Sequence, residues 1–186
     1  MPEQNCSGNF EQEALPHLDS AYNLARWLTG NQQDAQDVVQ EAYMRALRFY
    51  SGFRGGNVRA WLLQIVRNTF YTWLEQNRPK HPTIEFDEQL FGADPCAPNP
   101  EQALLQNDSA NLLRQALAKL PESFREILIL REFENMSYKE ISEVTGVALG
   151  TVMSRLSRAR SGLRQSLAGI VNEDTSPSSL VAALNP

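Results

Sequence analysis

The feature that most restricts the fold of this chain is a run of five prolines between Pro79 and Pro100: Pro79, Pro82, Pro95, Pro98 and Pro100. Each proline removes a backbone donor and clashes with the preceding helical turn, so no helical core spans such a stretch. Glu85, Asp87, Glu88 and Asp94 lie in the same segment and further oppose burial. The segment therefore reads as a linker, and the chain divides into two blocks. Both blocks carry apolar residues at helical rather than alternating spacing. The predicted class is all-α, two small helical domains joined by a flexible linker. The expected boundaries are a flexible N-terminus over 1–9, a first domain over 10–80, a Pro-rich acidic linker over 81–102, a second domain over 103–168 and a tail over 169–186.

In the first block, Leu15, Leu18, Tyr22, Ala25 and Leu28 form the expected inner stripe of one helix. Gly30 ends it, and Asn31 is the predicted cap of the next, with Asp34 at its third position. The second helix is expected to bury Ala35, Val38, Val39, Ala42, Ala46 and Phe49, leaving Asp37, Glu41, Arg45 and Arg48 outside. Glycines at 52, 55 and 56 punctuate a loop over Ser51–Asn57. A third helix then runs from Val58 to about Gln76. Its inner stripe is Leu62, Ile65, Val66, Thr69, Phe70 and Trp73, and Arg67, Asn68 and Tyr71 fall on the other side.

The most informative stretch is MSYKEISEVTGVALGTVMSRLSRAR, Met136 to Arg160. Ser137 and Glu140 have capping-box spacing, Gly146 suits a tight turn of positive φ, and Val147 plugs that turn. On the following helix Val152, Leu156, Ala159 and Leu163 share one face. The opposite face carries Ser154, Ser157, Arg158 and Ser161, flanked by Thr151 and Arg155. Small hydroxyls let a helix sit deep in the major groove, and arginines reach guanine edges or phosphates. The pattern predicts a helix-turn-helix that reads duplex DNA through Thr151, Met153, Ser154, Arg155, Ser157, Arg158 and Arg160, with Lys139 of the preceding helix on a phosphate. A solvated helical hairpin is the bland alternative, and the joint occurrence of cap, turn, plug and small-plus-basic face argues against it.

The whole chain is nonetheless acidic, with a net charge of -5. DNA responds to the field of one face, so this excludes a uniformly basic surface and not a local patch. The acidic residues are expected to cluster away from the DNA helix. A hydrophobic fraction of 42% fits ordinary globular helices. No apolar run approaches the ~20 residues of a membrane span. With Cys6 and Cys96 alone no disulfide framework is expected, and the expected location is cytoplasmic. No phosphate-cradling loop, nucleophile elbow or metal-ligand pair is present, so no catalytic residue, cofactor or metal is expected.

GTVMSRLSRAR, preceded by LPESFREILILREFENMSYKEISEVTGV, resembles region four of bacterial RNA polymerase sigma factors of the extracytoplasmic-function (ECF) subfamily. LTGNQQDAQDVVQEAYMRALRFYSGFRGGNVRAWLLQIVRN resembles region two of the same subfamily. The resemblance implies that the first block binds the clamp helices of the polymerase's largest subunit through Asp34, Asp37, Gln40 and Glu41. It also implies that Phe53, Arg54, Asn57, Arg59, Arg67, Asn68 and Tyr71 melt and read the promoter −10 element. A pairing of Glu41 with Arg45 at i, i+4 is the simpler reading of that carboxylate. Region four would read the −35 element and meet the polymerase flap. Core polymerase, promoter DNA and an anti-sigma factor are the implied partners, with no membrane insertion and a monomer when free. Three departures stand out: Met153 where the family often has a basic residue, no arginine run at the end of the first block, and a tail beyond Asn172. The competing reading is a stand-alone helix-turn-helix regulator with a helical sensor domain.

Overall fold

The computed structural model describes residues 3–77 and 111–174, with side chains described over 9–77 and 111–170. The whole predicted linker, which includes Cys96, and the apolar tail from Leu180 to Leu184 lie outside the described residues. The described chain is helical. Helix α1 covers Glu3–Ala14, α2 Leu18–Thr29, α3 Gln32–Phe49 and α4 Val58–Asn77. Helix α5 covers 111–118. Helix α6, Glu122–Leu128, runs on into a π-helical turn over Ile129–Phe133, and α7 (Tyr138–Thr145) and α8 (Leu149–Asp174) follow. The chain is thus helical from Glu3, inside the segment expected to be a flexible N-terminus. Among the described residues no helix is long and apolar enough to cross a membrane.

Local signals set the ends of several helices. Gly30 closes α2 in the left-handed conformation (φ 83°), and its N–H donates to the Arg26 carbonyl at 3.0 Å. Asn31 caps α3 by accepting from the Asp34 N–H at 2.8 Å, while its amide donates to the Asp34 carboxylate. Asn57 does the same for α4, accepting from the Ala60 N–H at 3.1 Å. The Asn31 and Asn57 caps satisfy helix N–H groups that have no intrahelical acceptor.

Helices α2, α3 and α4 pack against one another, with α1 laid across them. The shared core holds Leu24, Leu28, Val38, Ala42, Leu62, Leu63, Val66 and Phe70. Complete burial of a side chain such as Phe70 is worth roughly 2–3 kcal/mol. Three stripe predictions need correction. Leu15 and Leu18 are 51% and 42% exposed, because Leu15–His17 forms a 3-10 turn at Pro16 that breaks the helical phase. Phe10 and Ala14 of α1 fill the space instead. Phe49 is 61% exposed, since α3 ends there and Tyr50 takes the packed position against the Phe10 ring, 5.3 Å between centroids. On α4, Ile65 and Trp73 are only partly buried, whereas Leu63, outside the predicted stripe, is fully covered.

The second unit is built on α6, α7 and α8, whose core comprises Ile127, Leu130, Met136, Ile141, Val144, Val152, Leu156 and Ala159. Arg125 ties its first turn together. Its guanidinium donates to the carbonyls of Leu117, Ala118 and Leu120 at 3.0–3.1 Å, at the end of α5 where carbonyls lack helical partners.

The two units are not separate bodies on a string. Helix α7 packs on α4, and α6 with its π turn packs on α2. Arg125 reaches across to the Trp27 and Leu28 carbonyls at 3.5 and 3.3 Å, and the Trp27 and Phe133 rings meet at 5.0 Å.

Candidate nucleic-acid interface

Helices α7 and α8 form the predicted helix-turn-helix. The Ser137 hydroxyl accepts from the Glu140 N–H at 3.2 Å, and the Glu140 carboxylate accepts from the Ser137 N–H at 2.8 Å, completing the capping box. These hydrogen bonds hold the Glu140 carboxyl below its ordinary pKa. Gly146 ends α7 at φ 70°, and its N–H donates to the Ser142 carbonyl. The Ser142 hydroxyl closes the turn by donating to the Val147 carbonyl at 2.6 Å.

Val152, Leu156 and Ala159 are buried under α8, as their spacing predicted. Met153, Ser154, Ser157, Arg158 and Arg160 are exposed, and Thr151 and Arg155 are half-buried at the edge. Lys139 is exposed on α7. The Ser154 hydroxyl donates to the Thr151 carbonyl at 3.1 Å, which keeps it close to the helix surface. A ridge of small and basic groups therefore faces outward, braced by aliphatic packing. Such a ridge fits a major groove about 12 Å wide.

The acidic residues do not keep away from this helix, contrary to expectation. Glu132 accepts from Arg160 at 2.6 and 3.1 Å, which raises the guanidinium pKa. Exposed pairs of this kind are worth about 0–1 kcal/mol, so a phosphate can displace Glu132 at little cost.

The predicted −10 residues lie along the start and the exposed side of α4. Phe53 is half-buried, its ring tilted against Trp61 at 4.8 Å between centroids, and so braces the loop. Arg54 and Asn68 are exposed. Asn57, Arg59, Arg67 and Tyr71 meet the second unit, which the sequence did not foretell. The Asn57 amide donates to the Glu140 carboxylate at 2.8 Å. Arg59 donates to the Glu134 carbonyl at 2.8 Å and to its carboxylate at 2.5 Å. Arg67 pairs with Glu126 at 2.5 Å and lies over the Tyr71 ring, 4.7 Å from its centroid. The Tyr71 hydroxyl donates to the other Glu126 oxygen at 3.2 Å.

Glu126 is 1% exposed. Burial pushes its carboxyl pKa up, outweighing the opposing pull of Arg67, the Tyr71 hydrogen bond and the more distant Arg155. The Tyr71 phenol is raised as well, first by burial and then by the Glu126 charge. Sequence reading passed over Glu126, Glu134 and Arg125. The one available signal, for Arg125 and Glu126, was a pair of charges at the head of the apolar run from Phe124 to Phe133, where an uncompensated charge is costly.

On α3, Asp37, Gln40 and Glu41 are exposed and Asp34 is half-buried in its cap. Glu41 accepts from Arg45 at 2.7 Å, so the simpler i, i+4 pairing is present. That pair contributes only ~0.2–0.5 kcal/mol and leaves the face available to a partner. Leu15 and Leu18 on the first unit, and Met44 and Leu47 on α3, add exposed apolar surface.

Comparison with known proteins fits this arrangement. Residues 15–79 match the family model for sigma-70 region 2, and residues 110–163 match the model for sigma-70 region 4. The chain is 35% identical over 171 residues to the RNA polymerase sigma-H factor of Pseudomonas aeruginosa, covering 88% of this chain and 89% of that one. It is also 35% identical over 167 residues to the ECF RNA polymerase sigma factor SigE of Mycolicibacterium smegmatis, covering 89% of this chain and 64% of the relative. The chain therefore spans just under two thirds of that second relative. Among solved structures, the sigma factor RpoE from Bartonella quintana, determined with the anti-sigma factor NepR, superposes with a TM-score of 0.70 at 28% identity, over 86% of this chain and 97% of that one. CnrH, determined with the cytosolic domain of CnrY, gives 0.63 at 26% identity, over 89% and 94%. Two region models in the expected order, relatives above 30% identity and, among the described residues, an all-helical fold with a helix-turn-helix agree, and the chain belongs to the ECF RNA polymerase sigma factors of the sigma-70 family.

Proposed function

We infer that this chain is an alternative sigma factor that binds core RNA polymerase and directs promoter-specific initiation. The observation that carries the reading is the outward ridge of Ser154, Ser157 and Arg158 on α8, set on buried Val152, Leu156 and Ala159. In this reading Thr151, Met153, Ser154, Arg155, Ser157, Arg158 and Arg160 take the −35 duplex, and Lys139 takes a phosphate. Phe53, Arg54, Asn57, Arg59, Arg67, Asn68 and Tyr71 take the −10 element. Asp34, Asp37, Gln40 and Glu41 meet the polymerase clamp. Hydroxyls and guanidiniums suit duplex DNA, and an aromatic ring beside arginines suits unpaired bases.

The polymerase supplies the nucleotidyl transfer, and the chain has no catalytic chemistry or cofactor of its own. It works in the cytoplasm as a monomer until it joins the enzyme. An anti-sigma factor is the further partner, a reading supported by the solved relatives bound to NepR and to CnrY. The test is run-off transcription from a promoter library with purified core polymerase. Discrete start sites that require this chain are expected, and Arg155→Ala with Arg158→Ala should remove dependence on the upstream element. A chain that binds its own DNA sites tightly without polymerase, and adds no start sites with it, would be a stand-alone regulator instead.

A further inference from the structure

The outward ridge of α8 changes character along its length. From Ser154 onward it presents Ser154, Ser157, Arg158 and Ser161, all hydroxyls or guanidiniums. Its opening turn instead exposes two large apolar side chains, Leu149 at 47% and Met153 at 50%. Neither packs on the core of the second unit. The two stand four residues apart, so they lie one above the other on the same side of the helix. At 100° per residue that side borders the row of Ser154, Ser157 and Ser161. Gly150, between them in sequence, adds no side chain, and the space its Cβ would fill is open. The backbone at this end can therefore come close to whatever it meets.

The first residues of a recognition helix are those that reach base edges. Methionine has no hydrogen-bond donor and only a weakly accepting sulfur, and leucine has neither. These side chains cannot pair with a phosphate or with the N7 and O6 acceptors of guanine. Set against the amino groups of cytosine or adenine, they would leave a donor without an acceptor. The one apolar feature that a base pair offers in the major groove is the 5-methyl group of thymine. An unbranched thioether, with its freely turning bonds, can settle against that methyl without strain.

We propose that Met153, flanked by Leu149, reads a thymine methyl in the −35 element, so that the upstream element of this chain holds a T·A pair, with thymine on either strand, where the opening turn of α8 enters the groove. The proposal rests on the −35 assignment made above. It divides the element into a thymine read by apolar contact and a neighbouring stretch read through hydrogen bonds by Ser154, Ser157 and Arg158.

The test uses polymerase holoenzyme assembled with the full chain, and a promoter library randomised across the −35 element. Selection with the wild-type chain should fix thymine at one position, and Met153→Ala should lose the preference at that position alone. Met153→Leu should keep it. Met153→Arg should move it to guanine, whose N7 and O6 accept from a guanidinium. The selected thymine is then replaced by deoxyuridine, which lacks only the methyl. With the wild-type chain this should weaken holoenzyme binding by about fourfold, the loss of one buried methyl. With Met153→Ala the same replacement should have little further effect. The four combinations of chain and base isolate the contact between side chain and methyl.

An equal loss in both chains would place the methyl against another residue and overturn the assignment. No loss in either chain, or a selection without a thymine that depends on residue 153, would overturn the methyl reading outright. A uniform loss of transcription from every library member in Met153→Ala, with base preferences intact, would make the apolar pair a polymerase contact and likewise overturn it. Failure of the sigma-factor reading itself would look different, as a wild-type chain that selects no polymerase-dependent start sites at all.

Discussion

Arg125→Ala is the most informative single perturbation of the fold. The guanidinium donates to three carbonyls of its own unit at 3.0–3.1 Å, and more weakly to Trp27 and Leu28 across the interface. Burial lowers its pKa, with Glu122 and Tyr71 opposing the shift, so the charge sits in a poorly hydrated place. Truncation leaves the carbonyls at the end of α5 without a donor. Each stranded acceptor costs about 1–3 kcal/mol, less where water can enter the space the side chain vacates. Taking about 1 kcal/mol for each of the three close carbonyls gives roughly 3 kcal/mol for the second unit. With a urea slope near 1.5 kcal/mol/M, the midpoint of that unit should fall by about 2 M.

The assay can resolve the two units, because Trp27, Trp61 and Trp73 all lie in the first one. Far-UV circular dichroism follows both units, and tryptophan fluorescence follows the first chiefly through Trp61 and Trp73, since the Trp27 ring also meets Phe133 of the second. The dichroism curve should shift early while the fluorescence curve moves much less. Arg125→Lys should fall between wild type and Arg125→Ala, since an ammonium cannot span carbonyls arranged for a planar fork. A midpoint unchanged in Arg125→Ala, or a fluorescence curve that shifts as far as the dichroism curve, would refute the view that Arg125 chiefly closes the end of α5.

Other expectations follow from local geometry. Gly146→Ala places a Cβ at φ 70° and should cost about 1–2 kcal/mol in thermal or urea unfolding, because left-handed backbone is unfavourable for alanine. Glu140 has a lowered carboxyl pKa in the folded chain, so its contribution is present above the ordinary carboxylate value and is lost as pH falls through the lowered one. Glu140→Gln should therefore flatten the acid limb of a stability-versus-pH curve for the second unit. Glu126 has the opposite sign. Its raised pKa means that ionisation opposes burial, so the packing of the second unit on α4, with Arg67, Tyr71 and Arg155 facing this carboxyl, should tighten as pH falls through that raised value. Energy transfer between dyes attached at the exposed positions Arg48 of α3 and Gln165 of α8 should rise accordingly, and Glu126→Gln should abolish the dependence. Removing one phosphate contact with Arg158→Ala should weaken upstream duplex binding by polymerase holoenzyme and reduce its salt slope by about 0.9.

Features governed by neighbours in sequence were legible without coordinates. The capping box of Ser137 and Glu140, the left-handed Gly30 and Gly146, the Asn31 cap and the buried face of α8 each depend on residues within a few turns. A 3.6-residue period and a cap preference suffice for those. The stripe of the first block was less legible. Periodicity identifies an apolar face, but Pro16 resets the phase between α1 and α2 and leaves Leu15 and Leu18 outside. Leu63 escaped the predicted stripe because α4 is packed by α1, α2 and α3 within its unit and by α7 beyond it, so more of its circumference is covered.

The sequence by itself determined two helical units, the helix-turn-helix and the chemistry of its ridge, since local backbone preferences and a single amphipathic period specify them. Only the tertiary structure decided what those units do to each other. The partners of Asn57, Arg59, Arg67 and Tyr71 lie 55–83 residues away along the chain. No periodicity connects positions so far apart, and in the sequence every carboxylate of the second block is an equal match for those donors. Burial of Glu126 of α6 against Arg67 of α4 is settled by how the two units dock, a property of two surfaces rather than of any one segment.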